Sequence, residues 1–314
     1  MLPYSTDDDA IEDVLRLAQA MAYKNAAAGL NLGGGKGVII GDPNKDKSEA
    51  LFRAYGRLVE SLGGRYIAAG DMGVNSEDLN IVRQETGFVV GFPEAWGGSG
   101  DSGIPTALGL YVSMKACAQE VFGKDSISGR RVMVQGVGKV GFPLLGHLTA
   151  EGAEMLISDV DLSNLKRAVA KYSVKAVSPD EVYDVECDIF SPNARGALLN
   201  DDTIPRLRCS IVAGAANNQL AEPRHGQMLH ERGILYAPDF IINAGGIISL
   251  ADELEGYNRE RAYQKVRAVR ERLERVIAIA KEQGIPTYRA ADIAAEERIH
   301  IMGDVHRTYI PRSR

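Results

Sequence analysis

The sequence predicts an α/β fold in two domains, and three observations carry that prediction. Between residues 132 and 242 short apolar runs alternate with helical stretches, the pattern of a mostly parallel sheet with crossover helices. The first of these runs leads straight into the glycine-rich turn G-V-G-K-V-G at residues 136–141. Ahead of it, residues 96–105 (W-G-G-S-G-D-S-G-I-P) have no periodicity and read as a hinge, which sets off an N-terminal part with helices and strands of its own.

A chain of 314 residues is long enough to bury two cores of ordinary size, and 45% hydrophobic with 25% charged residues is the composition of a soluble globular protein. The formal charge of -6 argues against nucleic acid or an anionic membrane as the main partner. No run of about 18 apolar residues occurs, and the start M-L-P-Y-S-T-D-D-D carries no leader pattern, so a cytoplasmic location is expected. Cys117, Cys187 and Cys209 show no C-x-x-C spacing; they read as small core residues, with neither a disulfide nor a metal site expected.

The first predicted element is a helix over residues 7–22, with apolar Ile11, Val14, Leu15, Leu17 and Ala18 at helical spacing behind the acidic cluster Asp7-Asp8-Asp9. Residues 23–37, Y-K-N-A-A-A-G-L-N-L-G-G-G-K-G, then place Lys24 and Lys36 around a turn almost free of bulky side chains. Two ammonium groups in such a place call for an anion. Each lowers the other's pKa, so one can hold a carboxylate while the other becomes a proton acceptor. Gly33, Gly34 and Gly35 permit positive φ and close backbone approach; the competing reading is a solvated lysine on a flexible glycine loop.

A short buried strand is predicted at residues 37–40, a helix at 51–62 and a strand at 65–69, followed at once by Asp71-Met72-Gly73. Further strands are expected near residues 132–135, 155–158, 188–190, 210–213 and 236–242. Residues 259–282 read as one long amphipathic helix with apolar Val266, Val269, Leu273, Val276 and Ala280. Its arginines are interleaved with Glu260, Glu271, Glu274 and Glu282, as in a salt-bridged structural helix.

The glycine turn carries the most specific chemistry. In Gly136-Val137-Gly138-Lys139-Val140-Gly141 the first glycine permits a tight turn, the second lets backbone N–H groups approach a pyrophosphate, and the third lets the helix pack on the strand. A second strand delivers Asp159 at the spacing of the dinucleotide fingerprint, where a carboxylate accepts ribose hydroxyls and repels a 2′-phosphate. A Rossmann-type NAD domain is therefore expected, against the alternative of a plain glycine turn in another α/β protein. Pro143 sits slightly deep in the following helix and counts mildly against it.

The segments M-A-Y-K-N-A-A-A-G-L-N-L-G-G-G-K (residues 21–36), G-D-M-G (70–73), G-G-S-G-D-S (97–102), G-V-G-K-V-G, V-A-G-A-A-N-N (212–218) and I-L-Y-A-P-D-F-I-I-N-A-G-G (234–246) resemble the glutamate/leucine/phenylalanine/valine dehydrogenase family, above all its leucine and valine branch. The resemblance runs in order along essentially the whole chain. It implies oxidative deamination of an L-amino acid to a 2-oxo acid and ammonia, with NAD accepting hydride, by a homo-oligomer. It also implies a catalytic/substrate domain over residues 1–105, rejoined by about 286–314, facing an NAD domain over 106–285 across a cleft.

By the same resemblance Lys24 holds the substrate carboxylate, Lys36 activates water and polarises the carbonyl, and Asp71 shuttles protons to and from the nitrogen. Two lysines and one acid are what deamination needs; the alternative for Asp71 is a turn-capping role. Thr106 matches a threonine near the nicotinamide amide, and Asn218 an asparagine touching cofactor and substrate; Asn243 opens a glycine turn before a helix, where the role of N-cap alone would account for it. Ala69, Val90, Ile247 and Leu250 match the side-chain pocket. All four are apolar, which disfavours an acidic substrate by several kcal/mol and favours leucine, valine or isoleucine, whose differences of one or two methylenes are worth only about 1 to 3 kcal/mol. The competing functions are a biosynthetic relative acting on an oxo acid without net deamination, and an inactive homologue that only binds NAD.

Two departures accompany the match. The family's front end is longer, with a strand and an A-L-G-G loop that helps close the substrate pocket, and this chain begins just after that loop. Either the start codon is misassigned or part of the catalytic domain has been lost, and a real loss would uncover a sheet edge and leave the carboxylate site incomplete. Residues 192–196 read P-N-A-R-G where relatives have P-C-A-x-G, placing Asn193 in the cysteine's position and Arg195 without an assigned role.

Overall fold

The computed structural model of the chain describes residues 1–305. The described chain divides into two compact units: Met1–Asp101 with Ile247–Ala262 and residues 295–305, and Ser102–Gly246 with Tyr263–Ala294. The return at Ile247–Ala262 differs from the single late rejoining expected from sequence. It is drawn into the first unit by side-chain contacts described below, which no contiguous reading of the chain displays.

The second unit is built on six parallel strands, β1 (Arg131–Gln135), β2 (Glu154–Ser158), β3 (Val174–Ala176), β4 (Ile189–Pro192), β5 (Ile211–Val212) and β6 (Leu235–Tyr236), in the order β3-β2-β1-β4-β5-β6. That order is the doubly wound dinucleotide-binding arrangement. Val132, Met133 and Val134 of the central β1 are fully buried, as a strand covered on both faces requires. The strand expected over 236–242 stops early. Ala237 N–H makes a last rung to Val212 O at 2.9 Å, and Pro238, which has no N–H to continue the ladder, turns the chain into the short helix Asp239–Ile242. The long arginine-rich helix is two helices, Arg259–Arg267 and Val269–Gln283, broken at Ala268. Its expected core residues are buried, and Arg270 pairs with Asp125 and Glu274.

In the first unit, α1 spans Asp7–Ala27, one turn and more beyond its expected end, so Lys24 lies on its last turn. The alanine run keeps the helix going until Gly29, at φ 68, ends it. None of the expected apolar stripe is buried: Val14 and Ala18 are half-buried, and Ile11, Leu15 and Leu17 are exposed. The helices α2 (Glu49–Ser61) and α3 (Ser76–Arg83) cross at Gly56, where a Cβ would stand 2.8 Å from Val82 O. Phe52, Val59, Leu79, Val82, Val89 and Phe92 form the core beneath them.

Neither predicted strand of this unit forms. Ile40 makes a single parallel bridge to Leu2, and the next N–H in register, that of Tyr4, turns back to Leu2 O at 3.1 Å instead of extending the ladder. Ala68 makes one bridge to Val89, and Gly91 at φ 101 then turns the chain away. The loop beyond Gly91 is instead fastened by a carboxylate from far along the chain: Glu253 accepts the N–H of Gly91 (2.9 Å), the N–H of Ser99 (2.7 Å) and the Ser99 hydroxyl (2.5 Å). Ser99 is buried, so removing its acceptor strands an amide without water. Glu253→Ala is expected to lower the unfolding free energy by about 2 to 4 kcal/mol, with Glu253→Gln in between. Urea denaturation measures it, and an unchanged midpoint for Glu253→Ala contradicts the latch.

Candidate active site

The glycine run works by close approach, and the expected positive φ is absent, since none of Gly33, Gly34 and Gly35 adopts it. A Cβ on Gly34 would stand 2.1 Å from Ala18 O and 2.9 Å from Ala22 Cβ, so the loop lies directly on α1. A Cβ on Gly35 would stand 2.8 Å from the Tyr66 ring, and the Asn25 amide donates to Gly33 O at 2.5 Å. The loop is thus clamped between the helix turns bearing Lys24 and the segment that ends at Asp71. That packing weighs against the reading of a flexible glycine loop.

Out of this clamp Lys36 reaches Asp71, and its ammonium donates directly to the carboxylate. The Lys36 side chain is 19% exposed and that of Asp71 62%. The second oxygen of Asp71 accepts the Met72 N–H at 2.8 Å, while the turn itself is closed by the backbone bond from Val74 N–H to Asp71 O at 2.9 Å. Turn geometry therefore does not need the oxygen that meets Lys36. Burial pushes the Asp71 carboxyl up, but the Lys36 hydrogen bond and charge and the Met72 N–H outweigh it and hold the group below the usual carboxylate range.

The expected apolar wall assembles next to this acid. Val90 N–H donates to Ala68 O at 2.9 Å, which sets Ala69 and Val90 side by side just before Gly70 and Gly91. A Cβ on Gly91 would lie 3.6 Å from Leu250 Cδ2 and 3.8 Å from Gly70 N. Leu250 therefore stands across Gly91 from the residue preceding Asp71. Ile247 precedes it by three on the helix Gly245–Asp252 and shares its face. Ala69 is exposed, Val90 buried, and Ile247 and Leu250 half-buried.

In the second unit Gly136 has φ 88 and follows β1, and a Cβ on Gly141 would stand 2.0 Å from Gly136 O. Helix and strand meet there at a distance only glycine permits. A Cβ on Gly138 would meet nothing nearer than the Asn164 amide at 4.0 Å, which leaves space above the start of the helix Gly141–Glu151. Pro143 falls in that helix's first turn, where its missing N–H has no helical partner, so its counter-signal disappears. Val140 is the N-cap residue and Lys139 is exposed. Asp159 closes the end of β2 against the turn, accepting Val137 N–H at 2.9 Å, Asn164 Nδ2 at 3.3 Å and Asp161 N–H at 2.9 Å.

Thr106 is buried in the same unit, its hydroxyl donating to Ser102 O at 2.8 Å and standing 3.0 Å from where a Gly246 Cβ would be. Asn218 is exposed at φ 51. Asn243 is no N-cap. It is the C-cap of Asp239–Ile242, and its amide holds Ala215 O (3.2 Å) and Asn217 Oδ1 (2.8 Å). Sequence reasoning missed Asn193 as a brace, although its departure from P-C-A-x-G was a signal. It also missed Glu253, which carried none.

Residues 1–88 match the family model described as Glu/Leu/Phe/Val dehydrogenase, dimerisation domain, and residues 157–303 match that of Glutamate/Leucine/Phenylalanine/Valine dehydrogenase. The leucine dehydrogenase of Thermoactinomyces intermedius is 55% identical over 314 residues, covering 100% of this chain and 86% of that protein. The phenylalanine dehydrogenase of Lysinibacillus sphaericus is 47% identical over 304 residues, covering 95% and 80%. Among solved structures, the L-tryptophan dehydrogenase from Nostoc punctiforme is similar with a TM-score of 0.88 at 41% identity, over 96% of this chain and 88% of that one. With this identity along its full length, the chain belongs to the Glu/Leu/Phe/Val dehydrogenase family.

Proposed function

We propose that the chain catalyses NAD-dependent oxidative deamination of a branched-chain L-amino acid, leucine, valine or isoleucine, to its 2-oxo acid and ammonia. The observation that carries this reading is the Lys36–Asp71 ion pair beside an apolar wall. An acidic substrate would leave its second carboxylate unpaired against Ala69, Val90, Ile247 and Leu250. Relatives named leucine dehydrogenase, at 53% to 55% identity, support the same class.

The residues around the glycine turn fit a dinucleotide: open space at Gly138, a helix start beneath it, and a carboxylate at Asp159 suited to a ribose and hostile to a 2′-phosphate. Gly136 to Gly141, Asp159, Thr106 and Asn218 would hold it, and NAD, when bound, supplies the hydride acceptor. The amino acid is assigned to the first unit. The description of the first family model as a dimerisation domain supports a homo-oligomer.

Lys24 holds the substrate carboxylate by charge. Asp71, ionised at neutral pH, takes a proton from the substrate ammonium so that hydride can leave Cα and an iminium form. Lys36, once it has passed its own proton to solvent, takes a proton from water as the water oxygen bonds to that carbon and releases it to solvent in turn. Asp71 then returns its proton to the nitrogen, and as the C–N bond breaks Lys36 takes the remaining hydroxyl proton, so that ammonia leaves and the carbonyl forms.

Lys36→Ala is expected to lower kcat by about a thousandfold while NADH binding, read by fluorescence titration, is kept; Lys24→Ala should chiefly raise KM for the amino acid. Near-normal kinetics in both variants would overturn the assignment of roles. Because the folded-state pKa of Asp71 is depressed, its ionised form and its pairing persist as pH falls and are lost only below the ordinary carboxylate range. Asp71→Asn should therefore lower kcat/KM across the whole profile without moving its acid limb. A shift of that limb would mean that Asp71 titrates within it.

A further inference from the structure

We propose that Arg195 is a phosphate-binding residue for the dinucleotide, a role that rests on the assignment of the turn Gly136–Gly141 as the dinucleotide site. Arg195 sits in the loop that follows β4, and the turn follows β1. In the order β3-β2-β1-β4-β5-β6 the chain reverses its winding between those two strands, and ligands of such sheets bind outside the carboxyl ends at that switch point.

The loop is an arch braced at both feet. At one, Asn193 N–H donates to Gln135 O at 2.7 Å, and its side chain donates to Ser191 O (2.9 Å) and Ser191 Oγ (3.0 Å) and accepts Ala215 N–H (2.9 Å). At the other, Ala197 N–H donates to Asn218 O at 2.7 Å, and Asn200 Nδ2 donates to Ala197 O at 3.2 Å. Ala197 (φ 55) and Asn218 (φ 51) are the non-glycine residues with positive φ among the described residues, so both partners of this bond hold a conformation that costs energy. Strain of that kind gathers where a loop must hold one shape.

The crown of the arch lies between the two cofactor elements. A Cβ on Gly136 would stand 3.0 Å from Ala194 N, and a Cβ on Gly196 would stand 2.7 Å from Asn217 O and 3.0 Å from Asn218 O. Arg195, between Ala194 and Gly196, is exposed and makes no hydrogen bond or ion pair among the described residues. The neighbouring Arg167 is differently placed: its guanidinium lies 4.0 Å from the Phe142 ring centroid and donates to Val137 O at 3.3 Å. A guanidinium on a braced arch beside an anion-binding turn matches phosphate oxygens, with only its own side-chain freedom to lose on binding.

The test is fluorescence titration of NADH into the full-length protein and its Arg195→Ala and Arg195→Lys variants, with ADP-ribose and adenosine as displacing ligands. Arg195→Ala should raise the NADH Kd about tenfold at low salt, with the gap closing as ionic strength rises. Arg195→Lys should recover part of it. ADP-ribose should weaken in parallel, while adenosine, which lacks phosphate, should displace as before. Wild-type affinity in Arg195→Ala, or equal weakening of ADP-ribose and adenosine, overturns the inference and leaves the dinucleotide site standing. Absence of NADH binding by the unaltered protein would overturn the site itself.

Discussion

The contact between Lys36 and Asp71 is the constraint around which the first unit is arranged. As an ion pair with a largely exposed carboxylate, it contributes little to stability, on the order of 0 to 1 kcal/mol. Its cost is nevertheless considerable. Gly34 gives up any side chain to let the backbone lie on Ala18 and Ala22 of α1, and Gly35 does the same against Tyr66.

The same logic extends outward from Asp71. The single bridge between Ala68 and Val89 is too short to be a sheet, yet it fixes Ala69 beside Val90, two residues before Asp71. Leu250 closes against that corner, and Glu253, three residues on, anchors Gly91 and Ser99. One returning segment thus supplies an apolar wall and its fastening together. In the second unit the parallel sheet does the comparable work, bringing the turn after β1 and the arch after β4 to one edge.

The parts of this structure legible in the sequence were those set by local periodicity or by a dense motif. The buried face of Val269, Leu273 and Val276 follows from steps of three and four, and the G-V-G-K-V-G turn follows from its flanking strand and helix. Residues 37–40 and 65–69 looked like strands because β-branched and aromatic residues report a preference, whereas a strand needs a partner with successive N–H groups to offer. Beyond Leu2 the Tyr4 N–H turns back to Leu2 O, and Val90 is followed by a glycine at positive φ. The helix end at Ala27 was missed because residues 23–37 were read together as one turn, while the alanines before Gly29 favour continuing the helix. Lys24, Lys36 and Asp71 could be named from motif and charge, but the clamp on Gly34 and the reach of Glu253 depend on contacts between residues distant in the chain.

The central claim is that a lysine–acid pair beside an aliphatic wall serves an amino-acid dehydrogenase, and a panel of L-amino acids assayed with NAD at basic pH, following NADH absorbance, tests it most directly. The account predicts NADH formation with leucine, valine and isoleucine, and a kcat/KM for glutamate lower by at least about a hundredfold. Turnover of glutamate as fast as leucine, or no NADH from any aliphatic amino acid by protein that binds NADH, would contradict it.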